Sequence, residues 1–258
     1  MRQLVIDAGN TRVKFARLSG GRLGRVHVLD WNRSNAPSVA RSILRGRFER
    51  VLVCSVAGAA LERSLRDAAR RDGNPRPQFI RSTRRAAGVR NGYAQTWRLG
   101  ADRWVAMLGS RFLFPGRPLC VVDIGTALTL DLLDARGHHL GGLLTPGPTL
   151  MVESLLHHTA GIRRRAGIVA ARAERQRPGA ALFGRSTRAG LYAGSTLACT
   201  ALIERAMTEA RAVLGVRPTL LLAGGGAAAV GPLLRVQYRR VDHLVLHGLA
   251  LLASLESR

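Results

Sequence analysis

Two short segments of this chain share one pattern, and each lies where a buried strand is expected to end. Asp7-Ala8-Gly9-Asn10-Thr11 follows the apolar run Leu4-Val5-Ile6, and Asp123-Ile124-Gly125-Thr126-Ala127 follows Leu119-Cys120-Val121-Val122. A second strand with alternating hydrophobicity comes directly after each segment. Such a turn presents backbone N–H groups and hydroxyls, which suit phosphate oxygens, beside a carboxylate that can hold a cation. The repeat therefore predicts two copies of one fold unit facing each other across a nucleotide, and phosphoryl transfer as the chemistry.

The order of the predicted elements is repeated as well. The first half predicts strands near 3–8, 12–18, 24–29, 50–56 and 78–80, with helices near 38–45, 59–71 and 101–114. The second half predicts strands near 118–124, 127–133, 139–144 and 219–223, with helices near 146–158 and 188–213. We therefore predict an α/β protein with an N-terminal lobe at 1–115 and a C-terminal lobe at 116–258. This duplicated β-β-β-α-β-α-β-α order resembles the acetate and sugar kinase, Hsc70 and actin superfamily, whose lobes are ribonuclease-H-like.

The strong positive charge raises the question of nucleic acid. The chain has 40 lysine and arginine residues against 16 acidic ones, a formal net charge of +24. Lys14 is the only lysine, and a bias towards arginine along the whole sequence is typical of genome composition rather than of a selected surface. The arginine runs also lack the interleaved aromatic residues that stack on bases. We therefore expect a solvated surface, no membrane association and no nucleic acid partner.

Cysteine and histidine usage indicates a cytoplasmic protein without a structural metal. Cys54, Cys120 and Cys199 lie in apolar segments without metal-ligand spacing, so we expect buried, reduced thiols. No secretory signal is recognisable at the N-terminus. The pairs His138-His139 and His157-His158 lack partners at metal-binding spacing and are interpreted as surface or structural residues.

Five segments follow one another in order along nearly the whole chain. They are Asp7 to Lys14, Asn91-Gly92-Tyr93, Gly100-Ala101-Asp102-Arg103, Asp123 to Asp131, and Gly141-Gly142-Leu143-Leu144-Thr145-Pro146-Gly147. A lone Asp-x-Gly-x-Thr is a weak signal, but the set is specific, and by it the sequence resembles the type III pantothenate kinases. The resemblance implies ATP-dependent phosphorylation of pantothenate to 4′-phosphopantothenate, the first step of coenzyme A biosynthesis, with ATP, Mg²⁺ and a monovalent cation (K⁺ or NH₄⁺) as cofactors.

The resemblance implies that the first segment binds the phosphates of ATP. Its expected contacts are Asp7, Ala8, Gly9, Asn10, Thr11, Arg12, Val13 and Lys14. Gly9 is expected to adopt backbone angles that other residues resist, so that N–H groups approach phosphate closely, and Lys14 adds an ammonium. An ordinary β-hairpin with a solvated lysine is the alternative.

The second segment is expected to complete the nucleotide site. By resemblance, the Thr126 hydroxyl contacts ATP and Asp123 binds the monovalent cation. The alternative for Asp123 is a carboxylate that only accepts hydrogen bonds from turn N–H groups. Gly224-Gly225-Gly226 resembles the adenosine-side loop of the superfamily, with a plain strand-to-helix turn as the alternative.

Asp102 is the predicted catalytic residue. Phosphoryl transfer depends mainly on positioning and charge neutralisation, but the attacking hydroxyl must still lose its proton. A carboxylate within hydrogen-bond reach of that hydroxyl accelerates the step by about 10²–10⁴-fold. The local sequence also supports an N-cap aspartate at the start of the helix before Trp104, and the two roles are compatible.

The remaining predicted substrate contacts are Tyr93, Gly100, Ala101, Arg103 and Thr187, together with Asp102. Arg103 offers a planar fork to the pantothenate carboxylate, and Tyr93 is alternatively a core aromatic residue. Gly184-Arg185-Ser186-Thr187 resembles the family's Gly-Lys-Asn-Thr, whose threonine reaches the substrate of the partner subunit, so a homodimer is implied. Another small-molecule kinase, or a regulatory protein with vestigial kinase motifs, remains a competing hypothesis.

Overall fold

The computed structural model describes residues 2–166 and 183–255. Its strands are β1 (Gln3–Ala8), β2 (Arg12–Ser19), β3 (Arg22–Leu23), β4 (His27–Asp30), β5 (Arg50–Ser55), β6 (Gln78–Phe79), β7 (Arg85–Ala86), β8 (Val89–Arg90), β9 (Leu119–Ile124), β10 (Ala127–Leu133), β11 (His139–Pro146), β12 (Thr219–Ala223) and β13 (Tyr238–Arg240). Its helices are α1 (Ala36–Ile43), α2 (Ala59–Arg71), α3 (Ala101–Leu113), α4 (Pro148–His158), α5 (Ala160–Ala166), α6 (Thr187–Leu214), α7 (Ala227–Val230) and α8 (Leu244–Leu255).

The two main sheets have the same strand order. The first runs β3-β2-β1-β5-β6, with β4 also paired to β2, and the second runs β11-β10-β9-β12-β13. In each sheet the central strand, β1 or β9, pairs antiparallel with the strand that follows it and parallel with the strand that arrives after a helical connection. This is the order of a ribonuclease-H-like unit, so the predicted α/β fold with a duplicated unit is confirmed.

The two central strands also have the same burial pattern. In β1 and in β9 the first four residues are buried, the fifth is partly exposed and the sixth is buried. The fifth residue is Asp7 in β1 and Asp123 in β9. Strands covered on both faces need nearly continuous apolar residues; the aspartates are accommodated because each stands one residue from the strand end. Burial of each large side chain contributes about 1.5–3 kcal/mol.

Contacts divide the chain into two compact units. The first comprises Met1–Arg117, Ala135–Leu140 and His243–Arg258, and the second comprises Pro118–Asp134 and Gly141–Asp242. In the first unit α8 packs tightly on α3, since a Cβ atom on Gly109 would lie 2.6 Å from the Leu244 carbonyl oxygen. A Cβ atom on Gly248 would lie 2.0 Å from the Val105 carbonyl oxygen. Glycine at both positions lets the two helix backbones touch.

Several elements differ from the sequence prediction. The strand expected near 24–29 is interrupted: β3 ends at Leu23 and β4 begins at His27. Both strands run antiparallel to β2, but the register shifts by one residue between them, because Leu23 lies opposite Leu18 and His27 lies opposite Phe15. The sequence did not predict the hairpin β7–β8, helices α5 and α8, or strand β13. Within the described residues no helix has both the length and the apolar character needed to cross a membrane. The lobe boundary between 115 and 116 stays a prediction.

Candidate active site

The first predicted phosphate segment forms the turn between β1 and β2. Asp7 lies directly opposite Lys14 in the antiparallel register, and the Lys14 ammonium nitrogen is 3.9 Å from the Asp7 carboxylate. Both side chains are largely buried, at 14% exposure for Asp7 and 28% for Lys14. Asn10 and Thr11 are exposed at the tip of the turn. The turn therefore presents one paired ammonium and carboxylate at its base and polar side chains at its tip.

Gly9 lies in a confined position but does not have an unusual backbone angle. Its backbone lies outside the left-handed region, contrary to our expectation, and its N–H donates to the Arg12 carbonyl oxygen at 3.0 Å. A Cβ atom there would lie 3.2 Å from that same oxygen. The turn is further held by Trp31, whose indole N–H donates to the Gly9 carbonyl at 2.7 Å. No sequence signal had connected Trp31 with the turn.

Asp102 lies in the first turn of α3, with Gly100 as the N-cap residue. The capping interpretation of Asp102 is therefore wrong: it is the second helical residue, and Oδ1 accepts a hydrogen bond from the Arg103 backbone N–H at 2.8 Å. A carboxylate in the first turn is favoured by the unpaired N–H groups and by the helix dipole. This arrangement fixes one carboxylate oxygen at a partly exposed helix end.

Tyr93 and Arg103, which are ten residues apart, are brought into direct contact. The Nη1 atom of buried Arg103 donates to the Tyr93 hydroxyl at 3.0 Å, and its guanidinium carbon lies 5.6 Å from the ring centroid. The Tyr93 backbone N–H is held by the side-chain oxygen of Asn91 at 2.9 Å. The Asn91 amide nitrogen in turn donates to the carbonyls of Thr83 and Thr96, each at 3.3 Å. The residues before α3 thus form a cross-linked group around one phenol and one guanidinium.

Besides burial, the negative charges of Asp7 and Asp102 both raise the pKa of the buried Cys54 thiol. Burial raises the pKa of Cys54 well above its usual value, and the negative charges of Asp7 and then Asp102 add to that effect. Cys54 lies beside Asp7 in the parallel register of β1 and β5. The predicted catalytic residue and the predicted phosphate loop are therefore electrostatic neighbours within the first unit. The three cysteines are free and buried, as expected.

The second predicted segment forms the turn between β9 and β10. The Gly125 N–H donates to the Ala127 carbonyl at 2.9 Å, so this turn is one residue shorter than the first. The Gly147 N–H donates to the Thr126 carbonyl at 2.8 Å, and a Cβ atom on Gly147 would lie 2.2 Å from the Gly125 carbonyl oxygen. The end of the predicted Gly141-to-Gly147 motif therefore packs directly against the Thr126 turn.

The glycine cluster after β12 packs against Asp123. Gly224 has a positive φ of 87°, and a Cβ atom there would lie 2.5 Å from Asp123 Oδ1 and 2.4 Å from the Ile124 carbonyl oxygen. The Gly226 N–H donates to that carbonyl at 2.9 Å. The cluster is a strand-to-helix turn, since α7 begins directly after it. Because Gly224 has no side chain, the Asp123 carboxylate and the Ile124 carbonyl oxygen can both lie close to its backbone.

Thr187 is the first residue of α6 and is half-buried. Ser186 is the N-cap, and its hydroxyl accepts a hydrogen bond from the Ala189 N–H at 3.1 Å, a capping contact of the usual kind. Thr187, Thr126 and Asp123 belong to the second unit, whereas the predicted contacts from Asp7 to Lys14, Tyr93 and Gly100 to Arg103 belong to the first.

The family model of type III pantothenate kinases matches residues 3–209. A type III pantothenate kinase of Nitrosococcus oceani is 32% identical over 261 residues, covering 99% of this chain and 95% of the relative. One of Herminiimonas arsenicoxydans is 37% identical, covering 95% of each.

Solved structures share the fold at low identity. A putative Baf family transcriptional activator from Campylobacter jejuni aligns with a TM-score of 0.61 at 17% identity, covering 98% of both chains. MreB 5 of Spiroplasma citri, solved with AMPPNP, aligns with a TM-score of 0.54 at 11% identity, covering 99% of this chain and 97% of that one. The fold is thus that of the actin-like ATPases, and the near-complete sequence matches place the chain in the type III pantothenate kinase family.

Proposed function

We propose that this protein transfers the γ-phosphoryl group of ATP to the 4′-hydroxyl of pantothenate, with Asp102 as the general base. The proposal rests on the first turn of α3, where Asp102 and Arg103 are consecutive and the Arg103 side chain donates a hydrogen bond to the Tyr93 hydroxyl. At this helix end, the Asp102 carboxylate can take up the proton of the attacking hydroxyl. The guanidinium of Arg103 and the phenol of Tyr93 lie beside it and can bind the polar end of the phosphoryl acceptor. Family membership supplies the identity of that acceptor.

ATP and a divalent metal accompany a kinase of this family. The described residues contain no cluster of three or more His, Cys, Asp or Glu side chains suited to a metal ion. Mg²⁺ does not need such a cluster, because it is usually held by one or two carboxylates together with the phosphates of the nucleotide. Asp7 is the carboxylate we assign to the hydrated metal, and Mg²⁺ supplies charge neutralisation of the phosphates.

Lys14, the Gly9 turn and the Thr126 hydroxyl would hold the phosphate oxygens. A polar turn at the end of a strand suits anions, and the ammonium of Lys14 lies at its base, 3.9 Å from the Asp7 carboxylate. Asn10 and Thr11 are exposed and add side-chain donors. These contacts orient the nucleotide and neutralise charge, which is the main requirement of phosphoryl transfer.

Asp123 is the residue we assign to the monovalent cation. Its carboxylate lies against Gly224 and near the Ile124 carbonyl, and hard oxygen ligands of this kind suit K⁺. The charge of the cation would offset that of the phosphates.

The second unit supports a homodimer through exposed apolar residues on β11, α4 and α6. Leu143, Leu144, Leu155 and Leu197 are 40–60% exposed. Helices α4 and α6 pack against each other, and exposed apolar residues on adjacent elements are typical of a protein–protein interface. In the proposed dimer, Thr187 at the start of α6 reaches the acceptor bound by the partner subunit.

The test is ATP-dependent formation of 4′-phosphopantothenate, detected by mass spectrometry, with Mg²⁺ and with K⁺ exchanged for Na⁺. Asp102→Asn is expected to bind both substrates but to turn over about 10²–10⁴-fold more slowly. Asp67→Asn, which changes an exposed aspartate on α2, is the matched control and should retain full turnover. Near-normal turnover of Asp102→Asn would exclude the general base, and no product from the folded wild-type protein would exclude the kinase.

A further inference from the structure

The aromatic ring of Tyr93 has a second neighbour, which the predicted site did not include. The ring of His139 lies parallel to it, with centroids 5.8 Å apart and an angle of 15° between the planes. His139 is 3% exposed, whereas Tyr93 is partly exposed. The Tyr93 side chain therefore contacts both the buried imidazole of His139 and the guanidinium of Arg103.

The backbone around His139 is held by close main-chain contacts with the segment that carries Tyr93. The Arg90 N–H donates to the Gly137 carbonyl at 2.9 Å, and Arg90 and His138 form a parallel bridge. A Cβ atom on Gly137 would lie 2.1 Å from the Gly88 carbonyl oxygen, and one on Gly92 would lie 1.9 Å from the His139 carbonyl oxygen. Two glycines thus allow residues 88–92 and 137–139 to run in direct contact, which fixes the imidazole relative to Tyr93.

The stacked pair borders a cavity of about 510 Å³ within the first unit. Besides Tyr93 and His139, its walls include Asn91, Thr96, Arg84 and Arg90. A phenol ring beside a cavity of this size has room to rotate, and rotation would remove its hydroxyl from Arg103. The stack on His139 opposes that rotation, since offset ring pairs add stability beyond the burial of their surface.

We infer that His139 is a positioning residue for the acceptor site: its ring holds the Tyr93 phenol in the orientation that bonds to Arg103. The inference rests on the proposed function, in which Tyr93 and Arg103 contact pantothenate. Because His139 acts through Tyr93, it should affect binding of the acceptor and should leave ATP binding and the chemical step unaffected.

The first test is steady-state kinetics of His139→Ala. The KM for pantothenate is expected to rise by about three- to tenfold, the range given by the loss of one ring stack, while kcat and the KM for ATP stay unchanged. His139→Phe restores a ring of similar shape and should return the KM for pantothenate towards the wild-type value. His139→Leu replaces His139→Ala if the latter does not fold, since it fills the volume without a stacking ring.

His27→Ala is the matched control, because His27 is also a stacked histidine of the first unit. Its ring lies 5.2 Å from that of Phe15 at an angle of 20°, and it lies outside the predicted site. Its kinetic constants should equal those of the wild-type protein. An equal rise in the KM for pantothenate in His27→Ala would indicate a general loss of stability and would overturn the positioning role.

A double-variant cycle separates this inference from the proposed function. Tyr93→Ala should raise the KM for pantothenate, and adding His139→Ala should then have no further effect. If Tyr93→Ala leaves that KM unchanged, the assignment of Tyr93 in the proposed function is wrong. If Tyr93→Ala raises it but His139→Ala does not, or if the two effects are independent, the positioning role alone is wrong.

Discussion

A Cβ atom at position 100 would lie 2.6 Å from Oδ1 of Asp102. The Asp102 carboxylate folds back over the N-cap of α3, where Oδ1 also accepts the hydrogen bond from the Arg103 N–H. Gly100 leaves the space that this orientation needs. The glycine of the Gly-Ala-Asp-Arg motif therefore controls the direction of the predicted general base, although it contributes no side chain of its own.

Gly100→Ala is expected to lower turnover strongly with little loss of stability. The added methyl group forces the Asp102 carboxylate to another rotamer, and a displacement of about 1 Å in a catalytic group can cost about 10²-fold in rate. The KM for ATP should not change. Steady-state kinetics beside thermal melting checks this, and wild-type turnover in Gly100→Ala would show that Asp102 need not hold this orientation.

Gly224→Ala is expected to remove the activation by K⁺. The methyl group would lie 2.5 Å from Asp123 Oδ1 in a left-handed backbone conformation, so both the carboxylate and the turn must move. Gly215→Ala is the matched control, because Gly215 also has a positive φ, of 70°, but meets no atom within 4 Å. Activity is measured in K⁺ and in Na⁺; a retained K⁺ response in Gly224→Ala would contradict the assignment of Asp123.

Leu144→Arg is expected to separate the proposed dimer and to lower activity with it. Leu144 is 60% exposed, and a guanidinium in an apolar interface would be buried without a partner. Val216→Arg introduces the same charge at a 55% exposed apolar position between α6 and β12 and serves as the control. Sedimentation velocity checks the mass; an unaltered dimer in Leu144→Arg would place the interface elsewhere.

The stability of the protein is expected to fall as the solution becomes acidic, partly because of His247 on α8. Burial, and then the neighbouring His243, lower the pKa of His247 below its ordinary value. Below about pH 6.5, the usual histidine pKa, the unfolded chain therefore binds a proton that the folded protein resists, so unfolding becomes more favourable. This contribution to stability is fully present above that pH and is lost as the pH falls towards the lowered pKa.

His247→Gln should reduce this part of the pH dependence. Urea unfolding between about pH 5 and pH 8, the range in which histidines titrate, measures it. An identical pH dependence in His247→Gln and the wild-type protein would show that other groups dominate. His27→Gln is a suitable comparison, because it removes an exposed histidine from the same unit.

Local spacing in the sequence was sufficient for the elements with strong periodicity. Helix α2 and strand β12 begin and end at the predicted residues, and the repeated Asp-x-Gly turns at Asp7 and Asp123 mark the ends of two equivalent strands. Short elements were missed where few residues carry the pattern, as in β7–β8 and β13. For α8, a continuous apolar segment had no polar face to reveal its period.

The sequence predicted which residues form the site, and the roles of those residues stay predictions. The contacts that these residues make could not be predicted from their spacing in the sequence. Gly9 was chosen for its backbone freedom and is instead limited by the Arg12 carbonyl oxygen. Asp102 fitted an N-cap as well as a base; the position of Gly100 as the N-cap excludes the first, and the second stays a prediction. The support from Trp31 and from His139 left no signal in the sequence.

The sequence by itself determined the duplicated strand–turn–strand units, the buried central strands and the family, because these depend on periodicity and on residues close together in the chain. Only the tertiary structure decided which glycines admit a neighbouring backbone, that α8 packs on α3, and that His139 stacks on Tyr93. Those contacts join residues tens to more than a hundred positions apart. They depend on close packing of particular surfaces, which no local pattern of residues specifies.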